Sequence, residues 1–216
     1  MTLVEACVGS LDEALAAEQG GAHRLELCDR LDVGGTTPSI ALIDEVKRRV
    51  RIPVSVMIRP RGGSYVHTAA ELDQMRRDID VAREHGADML VIGVLDAHGH
   101  VDALHTRALV ARASGTPVTF HRAFDEIEDQ APALEALIAA GISRVLTGGG
   151  SGSAADHATR LAQLVGQSAD RTAIMAAGKV RGNNVRAIVN QSGVREVHAR
   201  CERDPKRIAD ILAALA

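Results

Sequence analysis

Aromatic side chains are almost absent from this sequence. It contains one tyrosine, two phenylalanines and no tryptophan among 216 residues. Proteins that bind single-stranded nucleic acid stack its bases on aromatic rings, and many sugar-binding sites use rings in the same way. We therefore expect neither kind of site, and the core must be built from leucine, isoleucine, valine and alanine.

The sequence also lacks a strong net charge and a long apolar run. Its net charge is -3, so no bulk field attracts nucleic acid or anionic lipid. No apolar run approaches the ~20 residues of a membrane span. The first residues, MTLVEACVGSLDEA, lack the basic start and apolar stretch of a signal peptide. We expect a cytoplasmic protein that binds neither nucleic acid nor membrane.

Cysteine is scarce as well. Three cysteines are an odd number and too few for a disulfide scaffold, so we interpret them as free thiols. Their possible uses are packing, metal binding and reactivity.

Short apolar runs recur at even spacing between helical patterns. Each run is rich in aliphatic or β-branched residues and too short for a helix, which predicts eight strands, at 3–8, 24–28, 53–58, 89–94, 117–121, 144–147, 173–177 and 196–199. Strands that alternate with helices form a parallel sheet, either an open doubly wound sheet or a TIM-type (β/α)8 barrel. No GxGxxG follows the first strand and the units are similar throughout. The sequence therefore predicts the barrel, as a single domain over residues 1–216.

Four helix-to-strand joints repeat one pattern, in which a glycine is followed by an aliphatic residue and then by a strand. They are GAHRLEL (21–27), GADMLVI (86–92), GISRVLT (141–147) and GVREVHA (193–199). Glycine suits the left-handed position at the end of a helix. The repetition supports a repeated β–α unit.

Strand alternation predicts an unusually polar barrel lumen, because the face of each strand that meets the helices should be apolar. The inward set places Glu5, Glu26 and Arg59 on three neighbouring strands. Glu196 and His198 lie on the strand that closes against the first. Unpaired buried charges are costly, so we expect Arg59 to be the counter-charge of Glu5 and Glu26. Such a network either forms a site at the carboxyl ends of the strands or sets strand register alone.

The segment after the fifth strand carries candidate chemistry. His121 can act as an acid or a base near neutral pH, as can Glu5 and Glu26. Arg122 and Arg61 can hold a carboxylate or phosphate by two-point contact, and Asp125 follows at the same strand end.

Two glycine-rich loops lie at the corresponding ends of the sixth and seventh strands. One contains Thr147, Gly148 and Gly149, and the other contains Gly178 and Lys179. Backbone N–H groups in such turns bind anions, and barrels often bind phosphate near their last two strands. We predict an anion site here, with a pair of tight turns as the alternative.

The cysteines suggest a metal site. Cys7 and Cys28 end adjacent strands with the same inward phase, and Cys201 lies just past the eighth strand, near His198. Thiolate ligands select soft ions such as Cu(I). Buried cysteines also serve as simple packing residues, and no CxxC or HxxxH pattern fixes a ligand geometry here.

Motifs from the first strand to the eighth resemble the CutC family of copper homeostasis proteins. They are VEACVGS (4–10), RLELC (24–28), GGTTPS (34–39), MIRPRGGSY (57–65), VIGVL (91–95), TFHRAFD (119–125), RVLTGGG (144–150) and EVHA (196–199). The resemblance implies a (β/α)8 barrel, a cytoplasmic location, a homo-oligomer (dimer or tetramer) and a link to copper tolerance. It also implies Cu(I) binding through Cys7 and Cys28.

The chain departs from the family pattern at two places. Gly9 stands where the family tends to have aspartate, and Ala177-Gly178-Lys179 replaces a glycine triplet. Cys201 is not a family position, so its role as a ligand rests on its predicted place in the barrel.

Two functions compete on this sequence, and neither needs an organic cofactor. The first is a copper homeostasis protein that binds Cu(I). The second is an enzyme that acts on a small anionic metabolite, with Glu5, Glu26 or His121 moving protons and Arg59, Arg61 and Arg122 binding the anion. A purely structural oligomer leaves the polar lumen unexplained.

Overall fold

The computed structural model describes residues 1–216 as a ring of eight parallel strands surrounded by eight helices. The strands are β1 (Leu3–Val8), β2 (Arg24–Leu27), β3 (Val54–Met57), β4 (Met89–Ile92), β5 (Val118–Phe120), β6 (Arg144–Thr147), β7 (Ala173–Ala176) and β8 (Glu196–Arg200). The helices are α1 (Leu11–Gln19), α2 (Ile40–Arg49), α3 (Ala69–Glu84), α4 (Ala103–Arg112), α5 (Gln130–Ala139), α6 (Ala158–Ser168), α7 (Val185–Ser192) and α8 (Pro205–Leu215).

The sheet closes on itself in sequence order. β1 pairs in parallel with both β2 and β8, so the sheet has no edge. The predicted TIM-type barrel is confirmed, and the doubly wound alternative is excluded. All eight predicted strands are present, with ends that shift by one or two residues.

The four repeated joints have the conformation that their glycines suggested. Gly21, Gly86, Gly141 and Gly193 have φ angles of 89°, 84°, 84° and 73°. A side chain is disfavoured at such angles, so glycine allows each helix to end and the next strand to begin within two residues.

Two environments flank each strand. The side chains that face the helices are apolar and fully buried, as Val4, Ala6 and Val8 are on β1. The side chains that face the lumen are largely polar, and Glu5, Arg24 and Glu26 are almost completely buried there. The alternation predicted for these strands is thus present. No helix combines the length and the hydropathy needed to cross a bilayer.

Where the ring of helices closes around the sheet, α1 and α8 are in tight contact. A β-carbon at Gly20, which ends α1, would overlap the carbonyl oxygen of Pro205 at the start of α8. We expect Gly20→Ala to lower the free energy of unfolding by about 1–3 kcal/mol, because backbone must move to admit the methyl group. Chemical denaturation measures this change.

Gly166 supplies the matched control. It lies inside α6, and nothing stands within 4 Å of a β-carbon built there. Gly166→Ala should raise stability by about 0.5–1 kcal/mol through helix propensity. Equal effects of the two substitutions would contradict the close α1–α8 contact.

Candidate functional site

A cavity of about 440 Å³ opens at the carboxyl ends of the strands. Its floor includes Cys7, Glu26 and His198, and its wall includes His121 and Arg122 from the segment after β5. Active sites of this fold lie at the same end of the barrel. The cavity is therefore the candidate functional site.

Below the cavity, charged side chains fill the lumen in a continuous chain. Arg24 donates through Nε to Glu5 at 2.5 Å and through a terminal nitrogen to Glu196 at 2.7 Å. Arg144 on β6 donates to the same Glu196 carboxylate at 2.5 and 3.2 Å. Strand register produces this arrangement, because Glu5 lies beside both Arg24 and His198 across the sheet.

His198 links this chain to the cavity. Its Nδ1 lies 2.9 Å from Glu5 Oε1, and its Nε2 lies 3.7 Å from Glu26 Oε2. Burial alone would lower the pKa of His198, but the charges of Glu26, Cys7 and Glu5 raise it well above its usual value. His198 is therefore an imidazolium at neutral pH.

The pKa values of the two glutamates are shifted in opposite directions. Burial alone would raise the pKa of Glu5, but its hydrogen bond to His198 and the charge of Arg24 lower it to about 2. Burial raises the pKa of Glu26 well above its usual value, and the negative charges of Cys7 and Glu5 add to this effect. The Oε1 atom of Glu26 has no hydrogen-bond partner in the protein.

The two cysteines at the mouth are coupled. The hydrogen bond from the Cys28 thiol lowers the pKa of Cys7 to about 5, with further help from His198, although burial opposes it. The same hydrogen bond, together with burial, raises the pKa of Cys28. Cys28 also lies 3.5 Å from Glu26 Oε2, so its single proton has two acceptors within reach. Both cysteines pack with Met57 in a small buried cluster.

These residues give the lumen a balanced set of charges. Three cations, on Arg24, Arg144 and His198, face three anions, on Glu5, Glu196 and the Cys7 thiolate. A fourth anion at Glu26 would be unbalanced. The site can therefore offer a sulfur ligand to a metal ion or hold a proton on a carboxyl group.

The arrangement of these motifs matches a known group of proteins. The family model described as "CutC family" matches residues 2–202. This chain belongs to the CutC family. A mouse relative named "Copper homeostasis protein cutC homolog" is 45% identical over 94% of this chain and 75% of its own length. A CutC protein from Chromobacterium violaceum is 44% identical over 91% of this chain and 80% of its own length.

A solved CutC structure has the same architecture. The "putative copper homeostasis protein CutC" from Streptococcus agalactiae superposes with a TM-score of 0.88 at 36% identity. The match covers 92% of this chain and 98% of that chain.

Arg59 does not have the role that the sequence predicted. It donates to the carbonyl oxygens of Val33, Gly35 and Gly63 at 3.1, 3.1 and 2.7 Å, and its guanidinium lies 4.6 Å from the centre of the Tyr65 ring. β3 ends at Met57, so Arg59 belongs to the loop layer above the lumen. The prediction that it is the counter-charge of Glu5 and Glu26 is wrong; Arg24 and His198 neutralise Glu5.

Arg61 also lies outside the cavity of this CutC protein. It pairs with Glu71 at 2.6 Å and donates to the carbonyl oxygens of Ser64 and Val66 at 2.9 and 3.0 Å. These contacts hold the β3–α3 loop against α3. Its predicted role as an anion ligand in the pocket is not supported by its position.

His121 reaches the cavity, but not as a group that titrates near neutrality. Burial lowers its pKa to about 3, and the charge of Arg59 lowers it further. Its Nδ1 accepts the N–H of Ala123 at 3.1 Å. The imidazole is therefore neutral at physiological pH, which corrects the prediction of acid–base chemistry there.

The first glycine loop already binds an anion that belongs to the protein. Asp125 accepts the hydroxyl of Thr147 at 2.5 Å and the N–H of Gly148 at 3.0 Å, and Arg122 donates to it at 2.7 Å. The N–H of Gly149 donates to Thr147 Oγ1 at 2.8 Å. Contrary to the prediction, these groups are not free for an external phosphate.

The second glycine loop packs against the first. The carbonyl of Gly178 accepts the N–H of Ala154 at 3.0 Å, and a β-carbon at Gly178 would approach the carbonyl oxygen of Gly152. Lys179 is exposed, and its carbonyl accepts from Asn184 at 2.9 Å. Neither Gly178 nor Lys179 lines the cavity, and the anion site predicted at this loop stays a prediction.

Cys201 is separated from the other two cysteines. Its backbone N–H donates to the carbonyl of Cys7 at 3.4 Å, but its thiol points into the apolar core and lies 3.7 Å from the carbonyl of Asp204. The ligand atoms that converge within 4.8 Å belong to Cys7, Glu26 and His198 instead. Cys201 is a packing residue.

Two central arginines, Arg24 and Arg144, are not given a role by the sequence patterns. Each is the first residue of its strand and points into the lumen. On β2, Arg24 faces the same side as Glu26, and on β6, Arg144 faces the same side as Leu146. An arginine at the first inward position of a barrel strand is the signal that identifies both.

We expect Glu5→Gln to destabilise the protein by about 3 kcal/mol near pH 6, because it leaves the charges of Arg24 and His198 incompletely paired. The folded-state pKa of about 2 lies below the ordinary value of 4.5. The ionised group therefore stabilises the fold fully above pH 4.5, and this contribution is lost as pH falls toward 2. Urea titrations at several pH values measure the difference.

Glu135→Gln is the matched control, since Glu135 pairs with Arg171 on the surface and both side chains are half-exposed. Solvent and salt screen this pair, so its loss should matter much less. The buried network would be contradicted if the loss of unfolding free energy in Glu5→Gln stayed constant from pH 6 to 3. A loss equal to that of Glu135→Gln would contradict it as well.

Proposed function

We propose that this protein binds Cu(I) at the mouth of the barrel through the sulfur atoms of Cys7 and Cys28. The observation that carries the proposal is the packing of these two side chains in one buried cluster that also contains the thioether of Met57. Sulfur ligands select soft monovalent copper over harder ions.

The state of the thiols supports the same conclusion. With a pKa of about 5, Cys7 is a thiolate at neutral pH, and the thiolate is the form that binds metal. Cys7 lines the cavity, so an ion can reach it from solvent. The copper homeostasis named for the mouse relative agrees with this chemistry.

A mixed site of Cys7, Glu26 and His198 fits less well. Its ligand atoms lie within 4.8 Å of one another, but both ring nitrogens of His198 face carboxylates. An ion on that imidazole would have to replace a proton and break the pairing with Glu5. The sulfur pair needs no such rearrangement.

The redox state of the cysteines is relevant to the cellular compartment in which the protein is found. All three are free thiols in the structure. Reducing compartments keep thiols free and copper monovalent, so we propose a cytoplasmic location.

The double variant Cys7→Ser/Cys28→Ser tests the copper site. Anaerobic competition with a Cu(I) chelator should show about one ion per chain for the parent protein and none for the variant, because hydroxyls are poor ligands for soft ions. Cys201→Ala is the matched control and should keep the parent stoichiometry. Copper binding by the double variant at parent affinity would refute the proposal.

A second candidate function is an enzyme that moves a proton on a small anionic metabolite. The observation that favours it is the split between two neighbouring carboxyl groups: the pKa of Glu5 is lowered to about 2, whereas that of Glu26, which lines the cavity, is raised well above its usual value. Environments that push two pKa values apart assign the roles of base and acid in many active sites. Here the Cys7 thiolate would remove the substrate proton, Glu26 would hold the proton that is returned, and Glu5 would fix the charge of His198.

Hydrogen exchange tests this candidate. A panel of small phosphorylated and carboxylated aldehydes, ketones and hydroxy acids is incubated with the protein in D2O, and C–H exchange is followed by NMR. Exchange should depend on Glu26 and disappear in Glu26→Gln. Glu126→Gln, on the exposed wall of the cavity, should leave it unchanged. No exchange across the panel would remove this candidate and leave the copper proposal intact.

A further inference from the structure

Two buried polar atoms without a protein partner belong to side chains that line the same cavity. They are Oε1 of Glu26 and Nε2 of His121, on side chains that are 3% and 4% exposed. Buried polar groups in folded proteins nearly always have a hydrogen-bond partner. Two such atoms on opposite sides of one cavity indicate that its ligand is polar.

The His121 atom is a hydrogen-bond donor. Nδ1 accepts the N–H of Ala123 at 3.1 Å, so the ring proton must be on Nε2. The ring is also fixed in place, because Tyr65 packs 5.0 Å away and a β-carbon at Gly93 would overlap it. The protein thus holds one N–H rigidly towards the cavity.

The Glu26 atom offers a complementary contact. Its other oxygen, Oε2, lies 3.5 Å from the Cys28 sulfur and 3.7 Å from His198 Nε2. Oε1 has no partner in the protein, so a hydroxyl group of a ligand can pair with it.

Two guanidinium groups add positive charge to the wall. Arg122 uses Nε for Asp125 and has its terminal nitrogens left, while Arg200 makes no ion pair and no hydrogen bond through its side chain. Asp125 pairs with Arg122 at 2.7 Å and offsets its charge, so Arg200 is the unpaired guanidinium of this wall and Arg122 contributes its free terminal N–H groups. An oxyanion of a ligand would be attracted to this wall.

We propose that the cavity binds a small organic anion that carries a hydroxyl group. Its carboxylate or phosphate lies towards Arg122 and Arg200, the Nε2–H of His121 donates to one of its oxygens, and its hydroxyl group shares a hydrogen bond with Glu26. The inference deepens the second candidate function by naming its ligand class. It rests on that function only for turnover, because binding requires neither copper nor catalysis.

Isothermal titration calorimetry with glycerol 3-phosphate, glycerate, inorganic phosphate and glycerol tests the proposal. At least one of the first two should bind about tenfold more tightly than phosphate or glycerol, since it alone satisfies both ends of the site. The comparison of glycerol 3-phosphate with glycerate shows which oxyanion the wall prefers. No binding by either hydroxylated anion would overturn the proposal.

Two substitutions at one position show whether the N–H matters. His121→Phe keeps a ring beside Tyr65 but removes the donor, and should weaken binding about tenfold. His121→Gln places an amide N–H near the position of Nε2 and should restore most of the affinity. Equal affinities for the parent and both variants would overturn the assignment.

Arg200→Ala, on an exposed and unpaired residue, should weaken binding of the anions. An unchanged affinity would exclude a role for Arg200 in anion binding.

Independent measurements distinguish a failure of this inference from a failure of the enzyme candidate or of the copper proposal. Thermal unfolding and Cu(I) stoichiometry should match the parent in His121→Phe, which shows that the variant is folded. Binding without hydrogen exchange upholds this inference and removes the enzyme candidate. Copper binding without any organic ligand overturns this inference and leaves the copper proposal standing.

Discussion

The rest of the structure depends on the ion pair between Glu5 and Arg24, which is almost fully buried in the lumen. Taking two charges out of water costs several kcal/mol for each ion, and close geometry with further hydrogen bonds must offset that cost. His198, Glu196 and Arg144 provide those bonds. They reach the pair only in the observed strand register, because a slip of one residue would turn each group towards the helices. The charges therefore specify the register of β1, β2 and β8 as well as the site above them.

The barrel and the inward direction of its polar residues were predictable from the sequence because both follow from a two-residue period. Strand spacing predicts the ring, and alternation places Glu5, Cys7, Glu26 and His198 in the lumen. Burial of these side chains agrees with that placement: Cys7 is 8% exposed, Glu5 and Glu26 are less exposed, and His198 is 13% exposed in its side chain. Periodicity states which side of a strand a residue faces. It does not state which of several inward charges will meet.

The roles of residues beyond the strand ends were not predictable in this way. Arg59 and Arg61 have long side chains and lie in a loop, where backbone carbonyls and Glu71 compete successfully for their guanidinium groups. The glycine loop after β6 has the composition of a phosphate site, but a carboxylate from the preceding segment, Asp125, fills it. His121 has a residue type suited to acid–base chemistry, and burial keeps it neutral. Each outcome depends on contacts across the barrel that no local pattern encodes.

Charge balance in the lumen determines how the two proposed ligands relate. Cu(I) bound by Cys7 and Cys28 brings one positive charge, and the Cys28 thiol loses one proton when its sulfur becomes a ligand. The net charge of the lumen is then unchanged, whereas a divalent ion would leave one positive charge uncompensated among Arg24, Arg144 and His198. The proposed monovalent ion would therefore have a lower electrostatic cost in this lumen than a divalent one. Because its binding leaves the net charge of the lumen unchanged, the attraction of Arg122 and Arg200 for an organic anion does not depend on copper.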